Sequence, residues 1–335
     1  MAKRLNLSTA AVSKAWNDYP DISLATKKLV KSYAKKVGYK ANSQASFLRS
    51  QKSKTIGVII PDITNPFFAK ILKAIMNKAY KNDYSVILGN SKESYSLEVK
   101  LVNQFLQQKV DGILMSLAND TSEYKHLENI LADETVLVLF DKVAKLINCS
   151  KVIVDDKDGG FKATEHLIKK GCTKIAHFRG DLNPQNSIDR YLGYREALSV
   201  NKISFDPNKV LITSSGSIEQ GYILAKKLFE SGIEIDGLFC ITDMVALGAM
   251  TFFKEQKIDI PNEISVIGFS NTMFGNIVHP SLSTIDQKAS KIGAEAMRIF
   301  LSEEKILNTE NRLENQSLVL KTTLIKREST QRMWS

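Results

Sequence analysis

Apolar and polar residues follow two different patterns along the chain, and the change falls near residue 55. Before it, apolar residues recur at helical spacing in short segments, and two of these segments are preceded by a serine able to cap a helix. After it, short apolar runs alternate with longer amphipathic segments, which is typical of parallel sheets covered by helices on both faces. We therefore predict a small all-α domain followed by a large α/β domain.

Three short helices are predicted in the first part of the chain. The second helix covers 9–17, is capped by Ser8, and has an apolar face opposite a face of small polar residues. The third helix is capped by Ser23 and ends at Gly38. Its buried stripe is predicted to contain Val30, Tyr33, Ala34 and Val37. A short helix containing Leu5 precedes both, and the three together predict a compact helix-turn-helix.

Positive charge is concentrated in the same segment. Residues 1–54 contain twelve Lys and Arg against two acids, Asp18 and Asp21, which leaves 34 basic and 34 acidic residues in the rest of the chain. A surplus confined to one small domain indicates a surface that docks on a polyanion such as DNA. A solvated basic tail is the alternative, but such tails lack capped and periodic helices.

The remainder of the chain predicts two parallel sheets of about six strands each. Predicted strands fall at 56–60, 85–88, 112–116, 136–140, 152–154, 174–178, 237–241 and 265–269. Predicted helices fall at 66–81, 97–108, 159–170, 187–200, 217–231 and 245–256. Ligands of open α/β sheets bind at the carboxyl ends of the strands, and polar residues follow most of the predicted strands. We therefore expect one cleft lined by polar side chains.

A short motif in the second predicted helix carries a family resemblance. The segment 7–17 reads L-S-T-A-A-V-S-K-A-W-N. It resembles the signature L-S-x-x-T-V-S-R-x-L-N of the LacI/GalR (lactose-repressor/galactose-repressor) family of bacterial transcription regulators. Further phrases similar to that family follow in order: IGVIIPD at 56–62, NPFF at 65–68, VDGI at 110–113, GYREAL at 193–198, TDMVALGA at 242–249 and SVIGF at 265–269. The resemblance therefore covers essentially the whole chain.

The resemblance implies a domain organisation. Residues 1–41 would form a helix-turn-helix DNA-binding domain, 42–54 a hinge helix and linker, and 55–335 a two-lobed, periplasmic-binding-protein-like (type I) α/β domain for ligand sensing and dimerisation. The hinge is expected to fold only on DNA, because a helix of about nine residues is marginal in water. An ordinary flexible linker is the alternative. Relatives begin several residues earlier, so the first helix is expected to be short and to depend on packing by Leu5 and Leu7.

The resemblance also implies DNA contacts. Thr9, Ala10 and Lys14 would read base edges, and phosphate or sugar contacts would come from Ser8, Ser13, Asn17, Tyr39 and Asn42. In the hinge helix, Ala45 would also contact the DNA, and Leu48 would wedge into the minor groove and kink the duplex. Lys14 stands where Arg is commoner and lacks its bidentate fork, and Ala41 stands where many relatives have Pro.

Seven residues are implied as the effector site: Phe67, Phe68, Asp141, Arg190, Thr242, Asp243 and Ser270. The two phenylalanines would stack on a small molecule, while Asp141 and Arg190 would bond its polar groups. Core packing of the aromatics, a salt bridge of Arg190 and helix capping by Asp243 are the alternatives. Ser270 and Gly216 stand where some relatives have Asp or an aromatic, which weakens a simple-sugar assignment. A sugar or a sugar derivative remains the effector class that the resemblance implies.

These features predict a homodimeric DNA-binding transcription regulator, a repressor by resemblance, whose affinity for its operator is controlled by an effector in the cleft. A dimer is expected because one module makes few base contacts, and a near-palindromic operator in double-stranded DNA supplies two half-sites. The alternative is a solute-binding sensor protein without productive DNA binding.

Other function classes lack their motifs. The sequence has no G-x-x-x-x-G-K-[ST] loop, no G-x-S-x-G elbow and no H-E-x-x-H site, so we expect no enzyme, no metal and no cofactor. His177 is predicted to be a packed strand residue, and Cys149, Cys172 and Cys240 are predicted to be reduced core thiols. No run of about 18 apolar residues and no signal peptide is present, which predicts a cytoplasmic protein without a membrane partner.

Overall fold

The computed structural model, which describes residues 1–39, 52–306 and 315–332, divides the chain into a helical unit, Met1–Ser53, and an α/β unit, Lys54–Ser335. The helical unit contains α1 (Ala2–Leu5), α2 (Thr9–Trp16) and α3 (Leu24–Lys36). Both predicted caps are present. The Ser8 hydroxyl accepts from the backbone N–H of Ala11 at 3.1 Å, and the Ser23 hydroxyl accepts from that of Thr26 at 3.2 Å.

A very small core joins these helices. Ala15 on α2 and Val30 and Ala34 on α3 are buried, while Leu5, Leu7, Val12 and Trp16 are half-buried. The predicted stripe of α3 is wrong at its end. Helix α3 stops at Lys36, so Val37 leaves the helical face and is 51% exposed. Gly38 follows with a φ of 64°, a conformation that favours glycine and ends the helix.

Twelve strands of the α/β unit form two six-stranded sheets, as predicted. The first sheet contains β1 (Thr55–Ile60), β2 (Ser85–Asn90), β3 (Gly112–Met115), β4 (Val136–Phe140), β5 (Ser150–Val154) and β11 (Ser317–Leu320). The second contains β6 (Ile175–Arg179), β7 (Val210–Ile212), β8 (Gly237–Cys240), β9 (Ser265–Phe269), β10 (Ser283–Asp286) and β12 (Thr323–Ile325). Their orders are β11-β5-β4-β3-β1-β2 and β12-β10-β9-β8-β6-β7, and of the described strand pairs only β10 with β12 is antiparallel.

Helices cover both sheets and complete two lobes. The N-terminal lobe has α4 (Pro66–Tyr80), α5 (Tyr95–Gln107), α6 (Lys125–Ala132) and α11 (Ala289–Ile306). The C-terminal lobe has α7 (Asp156–Lys169), α8 (Gln185–Val200), α9 (Ile218–Glu230) and α10 (Asp243–Glu255). Buried aliphatic and aromatic residues fill the space between each sheet and its helices.

The described chain passes between the lobes at three crossovers, which join β5 to α7, β10 to α11 and β11 to β12. Asp156 stands at the end of the first crossover and Gln287 stands within the second. In each lobe the carboxyl ends of the parallel strands face the gap between the lobes, which is where ligands of such sheets bind.

Candidate functional site

The polar face of α2 is an exposed surface of the helical unit. The predicted DNA contacts Ser8, Thr9, Ala10, Ser13, Lys14, Asn17 and Tyr39 are all exposed. Ser8 is committed to its cap, and the Asn17 side chain donates to the Ser13 carbonyl at 2.6 Å. The Tyr39 ring meets Trp16 edge-on at 5.6 Å, which fixes it beside α2. The remaining predicted contacts, Asn42, Ala45 and Leu48, lie outside the described residues.

Ion pairs engage both acids of this unit. Lys14 donates to Asp21 at 2.5 Å, and Lys31 donates to Asp18 at 2.5 Å. The other basic side chains are mostly exposed, so the surface remains strongly positive. Such a surface can neutralise phosphates while the small residues at the start of α2 allow a close approach to base edges.

A cavity of about 120 Å³ lies between the lobes of the α/β unit. Its walls come from the start of α4, the loop after β4, the first turns of α8, and the loops after β8 and β9. Six of the seven predicted effector residues line it: Phe67, Phe68, Asp141, Arg190, Thr242 and Ser270. The structure therefore brings together side chains that are up to about 200 positions apart in sequence.

Phe67 and Phe68 enter the cavity wall from the first turn of α4. Asn65 caps this helix by accepting from the Phe67 backbone N–H at 3.0 Å, and Pro66 follows at the first helical position. The two rings meet edge to face with centroids 5.2 Å apart. Both side chains are also buried in the core of the N-terminal lobe, so core packing and cavity lining occur together.

The Arg190 guanidinium donates three hydrogen bonds to neighbouring residues. Its Nε donates to Asp156 at 2.7 Å, its Nη1 to the Ile241 carbonyl at 3.0 Å, and its Nη2 to Gln287 at 3.1 Å. The guanidinium also lies 3.9 Å from the centroid of the Phe269 ring. Arg190 thus connects residues of two crossovers to the end of β8.

Glycine in α7 permits this placement. A Cβ on Gly160 would lie 2.3 Å from the Arg190 carbonyl oxygen, so α7 and α8 approach closely at this level. The close contact brings the Arg190 side chain over Phe269 and within reach of Asp156 at the start of α7.

Asp141 is a buried carboxylate in the cavity wall. It has a φ of 60° and accepts long hydrogen bonds, at 3.4 Å from Ser116 and 3.3 Å from Asn186 of the opposite lobe. Burial raises the pKa of Asp141, and the charges of Arg190 and Lys142 oppose that rise. Weak protein partners leave this acceptor available for hydroxyl or amine groups of a ligand.

Asp156 is not part of the cavity wall but accepts a hydrogen bond from Arg190, which is. Burial raises the pKa of Asp156 to about 7, although Arg190 favours the charged form, and nearby Asp141 adds to the rise. We did not predict Asp156 as a site residue. Its position directly after a predicted strand is the sequence feature that could have indicated a place near the cavity.

Three further residues of the cavity wall, Asn186, Ser187 and Gln287, were also missed. Asn186 and Ser187 stand about one helical turn before Arg190, a spacing that places them on its face. The Ser187 hydroxyl is buried and has no hydrogen-bond partner among the described protein atoms. No sequence signal marks Gln287, because it stands in a crossover without a motif.

Asp243 is the one predicted effector residue that does not line the cavity. Its fully buried carboxylate accepts from the Thr272 backbone N–H at 2.6 Å and from the Thr284 hydroxyl at 2.5 Å. Thr242, which does line the cavity, is the residue that caps α10, by accepting from Val245 at 3.2 Å. Asp243 therefore joins the loop after β9 to β10.

Ser270 reaches the cavity through an unusual backbone conformation. Its φ is 130°, and its hydroxyl accepts from the Gln287 amide at 2.9 Å. Because Gln287 also accepts from Arg190, the three side chains form one chain of hydrogen bonds across the floor of the cavity.

A family model described as periplasmic binding proteins and sugar binding domain of LacI family matches residues 53–328. The chain belongs to the LacI family. It is 31% identical over 332 residues to the HTH-type transcriptional regulator RegA of Clostridium saccharobutylicum, and the match covers 98% of each chain. These findings confirm the family resemblance and the fold of a helical unit followed by a two-lobed α/β unit.

Solved structures of the LacI family show the same architecture. A LacI family regulator from Enterococcus faecium with bound ribose is 26% identical, with a TM-score of 0.72 over 84% of this chain and all of that chain. The lac repressor dimer bound to operator and the anti-inducer ONPF is 22% identical, with a TM-score of 0.86 over 98% of this chain and 97% of that one. At that identity the second likeness shows the fold alone.

Residues outside the two sites have structural roles. His177 is fully buried, its Nδ1–H donates to the Phe239 carbonyl at 2.9 Å, and its ring stacks on the Phe239 ring, while burial lowers its pKa to about 3. It is a packed strand residue, as predicted. The three cysteines are free and buried. Within the described ranges, no helix is long and apolar enough to cross a membrane, and no group of three or more His, Cys, Asp or Glu could hold a metal.

Proposed function

We propose that this protein is a transcription regulator, acting as a repressor, whose affinity for operator DNA is controlled by a small effector in the interlobe cavity. The observation that carries the proposal is the presence in one chain of a capped, basic helix-turn-helix and a polar cavity built around Arg190. The name of the relative RegA, an HTH-type transcriptional regulator, supports it. We also propose that the protein has no enzymatic activity and that it acts in the cytoplasm.

The helical unit supplies the DNA contacts of this proposal. Thr9, Ala10 and Lys14 on α2 read base edges, while phosphate and sugar contacts come from Ser8, Ser13, Asn17, Tyr39 and Asn42. Leu48, in the same hinge helix as Ala45, enters the minor groove. We place the DNA-binding domain at 1–41, the hinge and linker at 42–54, and the sensor at 55–335. Two copies bind a near-palindromic operator as a homodimer.

The cavity favours an uncharged, hydroxyl-rich effector. Its two cations are each paired, since Arg190 donates to Asp156 at 2.7 Å and Lys142 donates to Glu93 at 2.6 Å. Asp141 adds an acceptor without adding a cation. A sugar or a sugar derivative has the hydroxyl groups that such a wall can bond, and the similar Enterococcus faecium regulator binds ribose.

Arg190 can transmit the effect of ligand binding to the crossovers that join the lobes. It contacts Asp156 and Gln287, which belong to two different crossovers, so a ligand that shifts Arg190 acts on both. Hydrogen bonds between the two lobes must break when the cavity opens. Asn183 donates to the carbonyls of Asn119 and Thr121 at 2.7 and 2.8 Å, and Lys70 donates to the Asn271 carbonyl at 2.7 Å. An effector that binds one arrangement better shifts the population toward it.

The test of the DNA-binding part is selection of sites from a random duplex library with the full chain. Fluorescence anisotropy then compares a selected duplex with a scrambled one over a salt series. We expect a near-palindromic site bound roughly 10³-fold or more tightly than the scrambled duplex, with affinity that falls steeply as salt rises. Binding without any sequence preference would contradict the proposal and favour the solute-binding sensor.

A further inference from the structure

Lys14 and Asp21 form an exposed ion pair on the face of the helical unit that is proposed to meet DNA. Lys14 stands in the second turn of α2, and Asp21 stands in the turn between α2 and α3. The Lys14 ammonium donates to the Asp21 carboxylate at 2.5 Å, and the side chains are 47% and 50% exposed. This hydrogen bond raises the pKa of Lys14 and lowers the pKa of Asp21, so both groups stay charged near neutral pH.

The Lys14–Asp21 pair contributes little to the stability of the fold. Exposed ion pairs contribute little because water and salt screen them. A carboxylate on a DNA-facing surface is also repelled by phosphates at every DNA sequence. Residues 1–54 have ten more basic than acidic residues, and the other acid among them, Asp18, pairs with Lys31 of α3.

The pair differs from a lone lysine in what it presents to a base pair. Lysine offers donors only, whereas Lys14 and Asp21 together offer a donor beside an acceptor. In the major groove a G·C pair presents two acceptors, guanine N7 and O6, followed by one donor, the N4 amino group of cytosine, whereas in an A·T pair the N6 donor of adenine lies between two acceptors.

We propose that Asp21 is a specificity-determining residue, and that the Lys14–Asp21 pair reads one G·C base pair in each half-site. Lys14 donates to guanine, and Asp21 accepts from the cytosine N4 amino group. Where the base pair has no donor at that position, the carboxylate lies against the DNA without a hydrogen-bond partner. This costs binding free energy. Asp21 therefore weakens binding to non-cognate DNA more than it weakens binding to the operator. This inference rests on the proposed DNA-binding function.

Site selection and anisotropy with full-length Asp21→Ala test the proposal, and Asp18→Ala is the matched control. Each variant removes one acid and frees one lysine of the same unit, so both should bind scrambled duplex a few-fold more tightly at low salt. Only Asp21→Ala should lose the preference for one G·C pair per half-site, by roughly tenfold. Circular dichroism checks that both variants keep the helices.

A base analogue gives a second measurement on the wild-type protein. Replacing the cytosine of that pair with a pyrimidinone that lacks the 4-amino group should weaken wild-type binding by roughly tenfold and leave Asp21→Ala unchanged. Identical selected sites for Asp21→Ala and Asp18→Ala, or equal effects of the analogue on wild type and Asp21→Ala, would overturn the proposal. If the wild type selected no sequence at all, the DNA-binding function itself would fail, which is a different result.

Discussion

Arg190 and Asp156 form a buried ion pair, with Nε and Oδ1 2.7 Å apart, at the junction of the effector cavity and the first crossover between the lobes. The pair is almost fully removed from water, so replacing either side chain leaves the other without its partner in the interior. Arg190 faces the cavity and Asp156 begins α7, and the pair therefore links the cavity wall to the first crossover between the lobes.

Asp156 gives the stability of the protein a pH dependence. Its pKa is raised to about 7 in the folded state, against an ordinary value of 3.8. Between those values the folded protein holds a proton that the unfolded chain has released. The contribution of Asp156 to the free energy of unfolding therefore falls as pH rises through this window and is constant above it.

We expect Asp156→Asn to remove this dependence. Urea unfolding of wild type and variant at about pH 5 and about pH 8 measures it, since all other groups are common to both proteins. The stability of the wild type relative to the variant should fall by about 1–3 kcal/mol between the two conditions. A difference that is the same at both pH values would show that the pKa of Asp156 is not raised.

We expect Asp141 to lower the stability of the fold and to contribute to ligand binding. Burial raises its pKa, and its protein partners, Ser116 and Asn186, are 3.4 and 3.3 Å away. Asp141→Asn should leave the unfolding temperature unchanged or higher, because it removes a buried charge. Calorimetric titration of the effector should show at least about tenfold weaker binding, because the amide is the poorer acceptor. Asp181→Asn at the exposed rim of the cavity is the control, and equal affinities of the two variants would remove Asp141 from the contact.

Asp243 should matter for stability and not for ligand affinity. Its carboxylate is the acceptor for Thr272 and Thr284, and replacement by alanine strands two donors in the interior. Asp243→Ala should lower the free energy of unfolding by about 2–4 kcal/mol. Effector affinity, measured well below the unfolding temperature, should stay within about threefold of wild type. A large loss of affinity with normal stability would place Asp243 at the ligand after all.

The fold followed from local patterns wherever those patterns were strong. Buried strands such as β4 are continuous apolar runs, and the serine caps of α2 and α3 stand directly before helical periodicity. Strands β7, β10, β11 and β12 were not predicted individually, because they are three or four residues long and, except for β7, partly polar. Their strand conformation comes from pairing with neighbours distant in sequence.

The candidate site was predictable only in part for the same reason. The family resemblance implied Phe67, Asp141 and Arg190 as effector residues, and the structure places all three in the cavity wall. Gln287 and Asp156 contact Arg190 across 97 and 34 positions of sequence, and no local pattern reports such a contact. The position of Asp243 depended on tertiary packing, since Thr242 caps the helix and leaves the aspartate to bond the interior.

The central claim is that an effector in the cavity controls DNA affinity through Arg190. The most direct measurement is the dissociation constant of the selected operator, by fluorescence anisotropy, with and without the compound that most raises the unfolding temperature among a panel of neutral mono- and disaccharides. We predict that the compound changes this constant by roughly 5- to 150-fold in the wild type, and that Arg190→Ala binds the operator as the free wild type does and does not respond. An equal response in Arg190→Ala, or a wild type whose operator affinity the bound compound leaves unchanged, would contradict the account.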